Sequence, residues 1–204
     1  TNFHFEISAD LLREEALELM SRMRPGLIQL EIGVQSTNPD TIRAIHRNMD
    51  LKKLEASVAR VKSFGNIHQH LDLIPCEDYE SFRRSFEQVY RMKPDQLQLG
   101  FLKVLKGSSM YHEAQKYEIL YKEKEPYEVL STAWLSYEDI LKLKMVESMV
   151  EVYYNSSGKR FPGSRRFIRR CFLFMKVWEP IMRKKDMKRS LIPGSGVMRF
   201  SWNF

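Results

Sequence analysis

The sequence predicts an α/β fold in which about four parallel strands form a sheet or partial barrel, followed by a mainly helical C-terminal region. Two observations predict this class. Runs of alternating apolar and polar residues are followed, four times over, by stretches with the apolar periodicity of amphipathic helices. After Tyr117 this alternation stops, and charged or aromatic segments replace it. We therefore divide the 204-residue chain into a strand–helix unit, residues 1–116, and an accessory region, residues 117–204.

Each strand and helix is predicted from periodicity and from residues that begin or end helices. Asn38 is placed to cap the second helix, because Pro39 suits the first helical position. The predicted strands cover Phe3–Ile7, Leu27–Val34, His68–Ile74 and Gln96–Val104. The predicted helices cover Leu11–Met23, Pro39–His46, Leu51–Phe64 and Glu77–Met92, with a short fifth helix that ends near Lys116.

The second strand is the most informative stretch, because its two faces differ sharply. One face is apolar, whereas the other carries Glu31, Gly33 and Gln35. A carboxylate and an amide are costly inside a core unless they have partners, so we expect a polar ligand to lie over the glycine. A strand whose polar end leads into a capped helix is where α/β proteins place small-molecule sites.

In the accessory region the clearest element is a long helix that starts at Ser136 and runs to about Tyr154. Ser136 and Asp139 resemble a capping box, with Asp in the place of the usual Glu. The segment Arg160–Arg189 follows, and residues 159–189 hold 12 Lys and Arg against two acids. Its interleaved aromatics suit either contacts with phosphates or a helix whose apolar face packs on the strand–helix unit.

Composition indicates a globular protein, since hydrophobic residues make up 43% of the chain and no apolar run approaches the length of a membrane span. The N-terminus lacks a charged-then-apolar leader. Cys76 and Cys171 are too few and too far apart for a disulfide scaffold, so we expect a cytoplasmic location. His68 and His70 share one strand face, but such histidines are more often structural, and we assign no metal site.

Five motifs occur in the order of successive barrel strands: Phe5-Glu6-Ile7, the run Glu31–Ser36, Arg47, the run Leu71–Pro75 and the run Pro94–Leu99. Together they resemble the second half of the barrel of radical S-adenosylmethionine (SAM) enzymes, with the anaerobic coproporphyrinogen oxidase branch the clearest comparison. The extension after the last strand is more similar to cobalamin-binding members related to anaerobic magnesium-protoporphyrin IX monomethyl ester oxidative cyclases.

The resemblance implies which residues bind the cofactor. Glu6 and Gln35 would hydrogen-bond the ribose and amino-acid moieties of SAM, and Arg47 would pair with its carboxylate. Asp72 would close the polar floor, and backbone groups near Lys103 would meet the adenine. The implied reaction is reductive cleavage of SAM by a [4Fe–4S] cluster, which gives a deoxyadenosyl radical that abstracts hydrogen from a small-molecule substrate. Flavodoxin or ferredoxin would donate the electron, and cobalamin would bind a missing N-terminal domain.

The sequence also departs from the family. The cluster-binding cysteines, spaced C-x3-C-x2-C, are absent together with the first two strands. We therefore interpret the chain as a fragment that needs the missing N-terminal half of the same protein, has no catalytic residue of its own and is inactive alone. The family loop after Ile74 is three residues longer. Two alternatives stay open: a radical enzyme that modifies RNA, and a non-catalytic α/β module that binds another ligand.

Overall fold

The computed structural model describes residues 1–156, and every structural statement below concerns those residues. Four parallel strands form one sheet, and their order in the sheet is their order in the chain. The strands are β1 (Phe3–Ile7), β2 (Ile28–Gln35), β3 (His68–Leu73) and β4 (Gln96–Leu99). Helices connect consecutive strands, as expected for a parallel sheet. The predicted α/β class with four parallel strands is confirmed.

Six α-helices accompany the sheet in the described residues, and most of their N-terminal caps follow from local sequence. Asn38, Asp50, Asp78 and Ser136 each accept a hydrogen bond from a backbone N–H of the helix that follows. The predicted capping box of Ser136 and Asp139 is present. The helices are α1 (Glu14–Ser21), α2 (Pro39–Ala44), α3 (Leu51–Phe64), α4 (Tyr79–Arg91), α5 (Ser109–Glu113) and α6 (Tyr137–Val150).

Three boundaries differ from the prediction. The first helix is broken, because Leu12 and Arg13 are extended between a 3-10 turn (Ala9–Leu11) and α1. The last strand ends at Leu99, and the chain then leaves the sheet towards the antiparallel pair β5 (Leu120–Tyr121) and β6 (Val129–Ser131). Finally, α6 ends in a π-helical turn (Glu151–Asn155). The helix therefore has the predicted length, but its last turn is π-helical and not α-helical.

The two faces of the sheet have opposite character. On the helix side, leucine, isoleucine and valine side chains are buried in the core that also contains Phe82 and Phe86 of α4. Burying each such side chain contributes about 1.5–3 kcal/mol, so this side holds the sheet together. The opposite face is polar on all four strands. Its in-register side chains include His4, Glu6, Gln29, Glu31, His68, His70, Asp72, Gln96 and Gln98.

Only one edge of the sheet is covered in residues 1–156. The turn after α6 contacts β4, and the Tyr154 hydroxyl donates a hydrogen bond to the carbonyl oxygen of Pro94. At the other edge, β1 pairs only with β2. Phe3 and Phe5, on the helix-side face of β1, are stacked on each other and remain 51% and 46% exposed. The segment Arg160–Arg189 and the tail Ile192–Phe204 lie outside the described residues.

Candidate functional site

A cleft of about 300 Å³ lies on the polar face, at the C-terminal ends of β1, β2 and β3. It brings together the three side chains that the sequence predicted to converge, Glu6, Gln35 and Asp72, and it also includes Arg47. The complete lining is Glu6, Ile7, Ser8, Glu31, Gly33, Gln35, Arg47 and Asp72. The structure therefore confirms that these side chains lie in one cleft, whereas the binding role of each side chain stays a prediction.

The end of β2 is shaped by a bulge that places Gln35 over Gly33. The pairing of β2 with β3 shifts register between these two residues, and Gln35 has a φ of 67°, which is uncommon outside glycine. A Cβ added to Gly33 would lie 2.8 Å from Gln35 Nε2 and 3.4 Å from Arg47 Nη1. The absence of a side chain at Gly33 leaves the space above the backbone to the amide of Gln35 and the guanidinium of Arg47.

Arg47 reaches the cleft from the turn after α2. Its Nη1 donates a hydrogen bond of 2.8 Å to the carbonyl oxygen of Gly33. The chain folds back here because His46 takes a left-handed conformation, with φ at 55°, and the backbone N–H of Arg47 bonds to Ile42. A guanidinium has five N–H donors, so the bond to Gly33 orients the group and leaves donors for an anionic ligand.

A buried hydrogen-bond network fixes the loop that follows Gln35. The carboxylate of Glu77, which is 3% exposed, accepts hydrogen bonds from the hydroxyls of Ser36, Ser81 and Ser85. The Ser85 hydroxyl also accepts the backbone N–H of Thr37. The sequence analysis missed this network. Its local signal in the sequence was the pair Ser81 and Ser85, which follow Glu77 by four and eight residues.

At the floor of the cleft, two lining carboxylates, Glu31 and Asp72, come together with one histidine, His70. Nε2 of His70 and Oδ1 of Asp72 lie 3.2 Å apart, and Oε2 of Glu31 lies 2.8 Å from Nε2 of His4. Burial, reinforced by the charge of Glu31, raises the pKa of Asp72 to about 7, and burial lowers the pKa of His70. Glu31 was not among the predicted site residues, although it shares a strand face with Gly33 and Gln35.

Two residues singled out in the sequence do not belong to the cleft. Lys103 is exposed and outside the lining, and its backbone forms an isolated antiparallel bridge with Glu128. The predicted contact of its backbone with adenine stays a prediction. Cys76 lies just after β3 as a free thiol, and burial beside the negative charge of Glu77 raises its pKa to about 12. A thiol with so high a pKa is a poor nucleophile or metal ligand at neutral pH.

Fold and cleft together define a parallel α/β protein with a polar ligand site at the carboxyl ends of its strands. Buried polar atoms that lack hydrogen-bond partners among the described residues support a ligand site there. Five buried side-chain atoms in residues 1–156 have no hydrogen-bond partner, and three of them belong to this region: Gln35 Oε1, His70 Nε2 and Asp72 Oδ1. Buried polar groups are normally satisfied, so these atoms are candidates for contact with a bound group.

Comparison with known proteins identifies relatives of this class. The chain is 29% identical over 135 residues to a probable threonylcarbamoyladenosine tRNA methylthiotransferase from Pyrococcus abyssi, covering 64% of this chain and 31% of the relative. It is 30% identical over 105 residues to oxygen-independent coproporphyrinogen III oxidase from Salmonella typhimurium, covering 47% of this chain and 23% of that protein. The chain thus spans about a quarter to a third of the length of these curated relatives.

A solved structure matches the fold. Coproporphyrinogen III oxidase from Escherichia coli, described as a radical SAM enzyme, superposes with a TM-score of 0.52 at 20% identity, covering 74% of this chain and 32% of that one. This structural match confirms the predicted fold, and the sequence matches confirm the expected similarity to oxygen-independent coproporphyrinogen III oxidase. A family model described as "Protein of unknown function (DUF4080)" matches residues 115–169. Within residues 1–156, the helices are too short or too polar to cross a lipid bilayer.

Proposed function

We propose that this chain forms the SAM-binding part of a radical SAM oxidoreductase that acts on a small molecule. The observation that carries the proposal is the convergence of Glu6, Gln35, Arg47 and Asp72 in one cleft at the carboxyl ends of parallel strands. The similarity in sequence and fold to radical SAM proteins supports it. Because the chain spans only part of those relatives, the activity of the whole protein belongs to the proposal.

The residues present fit the chemical groups of SAM. The Arg47 guanidinium, held by the carbonyl oxygen of Gly33, suits the methionine carboxylate as a charge-assisted partner. Gln35 Oε1 is buried without a hydrogen-bond partner among residues 1–156, and the ammonium group of SAM would donate to it. Glu6, exposed at the end of β1, would accept from the ribose hydroxyls, while Asp72 forms the floor.

The residues of this chain do not fit a [4Fe–4S] cluster. Such a cluster takes three cysteines of a C-x3-C-x2-C motif, and this sequence has two cysteines, Cys76 and Cys171, far apart. When bound beside a reduced cluster, SAM supplies hydrogen-abstracting radical chemistry. We propose that the cluster ligands, and a cobalamin-binding domain, belong to a further part of the same polypeptide, with flavodoxin or ferredoxin as the electron donor. The contribution of this chain is to orient SAM.

Binding of SAM to the purified chain tests the proposal, measured by equilibrium dialysis with radiolabelled SAM. Arg47→Met removes the charge-assisted partner of the carboxylate, and such hydrogen bonds contribute about 1.5–3 kcal/mol, so we expect a loss of about 10-fold or more. Arg43→Met is the matched control, because Arg43 is exposed on α2 and pairs with Asp40. Absence of SAM binding, or equal losses for the two variants, would contradict the proposal.

A second candidate function is modification of RNA. It is favoured by the similarity to a protein named as a tRNA methylthiotransferase and by the basic segment Arg160–Arg189. Binding through phosphates releases counterions, so the affinity for tRNA should fall steeply as salt concentration rises. Replacing Arg165, Arg166, Arg169 and Arg170 with glutamine should reduce both the affinity and this salt dependence. If tRNA does not bind, or binds with an affinity that does not depend on salt, the RNA candidate is contradicted and the small-molecule proposal remains.

A further inference from the structure

The cluster of Glu31, His70 and Asp72 at the floor of the cleft has the composition of a metal site. Glu31 on β2 is in register with His70 on β3, and Asp72 follows His70 on the same strand face. Each of the three offers one ligand atom, and these atoms all lie within 4.8 Å of one another. The carboxylates flank the imidazole on adjacent strands, so the positions of the ligands are set by sheet register rather than by mobile loops.

The atoms of this cluster lack partners. The His70 side chain is only 7% exposed, and its Nε2 has no hydrogen-bond partner among the described residues. Asp72 Oδ1 is also buried and without a hydrogen-bond partner, although it lies 3.2 Å from that nitrogen. An imidazole nitrogen and a carboxylate oxygen that are buried side by side without a hydrogen bond are unfavourable, and a shared cation would satisfy both.

Other contacts hold the three side chains in place. His4 Nε2 lies 2.8 Å from Glu31 Oε2, so one oxygen of this carboxylate is engaged and the other is available. Pairing of β3 with β2 on one side and β4 on the other fixes the backbone positions of His70 and Asp72. Metal sites in proteins are commonly supported by such outer contacts to the ligands.

We propose that Glu31, His70 and Asp72 bind one divalent first-row transition-metal ion at the floor of the cleft. One imidazole and two carboxylates suit ions such as Zn²⁺, Fe²⁺ or Mn²⁺, which accept mixed nitrogen and oxygen ligands. Three protein ligands leave coordination positions for water or for a ligand in the cleft. The inference does not depend on SAM binding, because it stands on the cluster alone.

Titration of the metal-free chain with Co²⁺, followed by its visible d–d absorption, tests the proposal. We expect one Co²⁺ per chain, displaced by Zn²⁺, in a Cys76→Ser, Cys171→Ser background that excludes thiolate ligands. His70→Gln should weaken binding about 10-fold or more, since loss of even an outer contact costs 10- to 100-fold. His68→Gln is the matched control, because His68 is exposed on the same strand face and outside the cluster.

A second measurement needs no variant and so does not depend on whether His70→Gln folds. X-ray absorption at the zinc edge of the unmodified chain with one equivalent of Zn²⁺ should show nitrogen and oxygen neighbours, including imidazole, and no sulfur. Sulfur ligation, absence of binding, or equal affinities of the His68 and His70 variants would each overturn the proposal. SAM binding is measured separately on the metal-free protein. If SAM binds there, failure of the metal proposal leaves the proposed function standing.

Discussion

The side-chain amide of Asn155 pairs with both backbone groups of Leu97. The backbone N–H of Leu97 donates to Asn155 Oδ1 at 3.1 Å, and Asn155 Nδ2 donates to the carbonyl oxygen of Leu97 at 2.9 Å. A carboxamide has the donor and acceptor of a peptide group, so Asn155 satisfies the outer edge of β4 as a fifth strand would. One residue at the end of the π-helical turn thus joins the accessory region to the sheet.

Asn155→Ala should lower the free energy of unfolding by about 1–3 kcal/mol, because it leaves buried backbone groups of β4 without partners. Urea denaturation followed by circular dichroism measures the change. Asn48→Ala serves as control, since Asn48 is exposed in the turn before α3. Equal stabilities of the two variants would show that the amide of Asn155 is dispensable.

Gly33→Ala should weaken SAM binding about 10-fold, which corresponds to about 1.4 kcal/mol. The added methyl group would meet the ends of the Gln35 and Arg47 side chains, which can move aside, so the melting temperature should change little. Gly100→Ala is the matched control, because a Cβ there meets only ordinary contacts with Ile74 and Leu73. Unchanged SAM affinity in Gly33→Ala would argue against ligand contact at this position.

Glu77→Gln should destabilise the protein by about 1–3 kcal/mol, because an amide cannot accept the three serine hydroxyl bonds that the carboxylate accepts. Since the network holds the loop after Gln35, SAM affinity should fall as well. Thermal melting and equilibrium dialysis measure the two effects. Glu15→Gln, an exposed change on α1, provides the comparison, and a Glu77 variant as stable as this control would refute the structural role.

Glu128 should make stability depend on pH. Burial alone would raise its pKa, but hydrogen bonds from Lys144 and Lys122 outweigh burial and hold the pKa below its ordinary value of 4.5. A carboxyl group whose pKa is lowered by folding stabilises the protein above the unfolded pKa, and this contribution is lost as pH falls through the folded pKa.

Glu128→Gln should therefore cost about 1 kcal/mol at neutral pH, and the difference from the wild type should disappear in acid. Urea denaturation at a series of pH values checks the trend. Glu123→Gln, in the same loop and exposed, should leave the pH profile unchanged. A constant difference between Glu128→Gln and wild type across acid pH would count against the linkage.

The unpaired edge of β1 should promote self-association, because Phe3 and Phe5 are about half exposed beside backbone groups available for strand pairing. Light scattering of the purified chain should show mass increasing with concentration, and the change Phe3→Ser with Phe5→Ser should reduce it. Leu11→Ser removes a still more exposed apolar side chain away from this edge and is the control. A monomer at all concentrations would exclude the prediction.

Sequence periodicity predicted the four strands and most helices because these depend on local alternation and caps such as Asn38 and Ser136. Periodicity failed where contacts between residues distant in sequence determine the local structure. The end of β4 depends on the pairing of Lys103 with Glu128, and the orientation of Gln35 depends on a bulge that periodicity does not reveal. Glu31 was missed as a site residue because its partner, His70, lies on the neighbouring strand. Pairing register cannot be read from either strand alone.

The separation of an apolar helix side from a polar cleft side has an evolutionary consequence. Along each strand, side chains that pack in the core alternate with side chains that face the cleft. The two groups lie on opposite faces of the sheet, so a change in one need not disturb the other. Exchanging Glu6, Glu31 or Asp72 for other residues changes what the cleft recognises and leaves the packing beneath the helices intact. Such a scaffold lets descendants acquire new substrates through few mutations, without first losing the ability to fold.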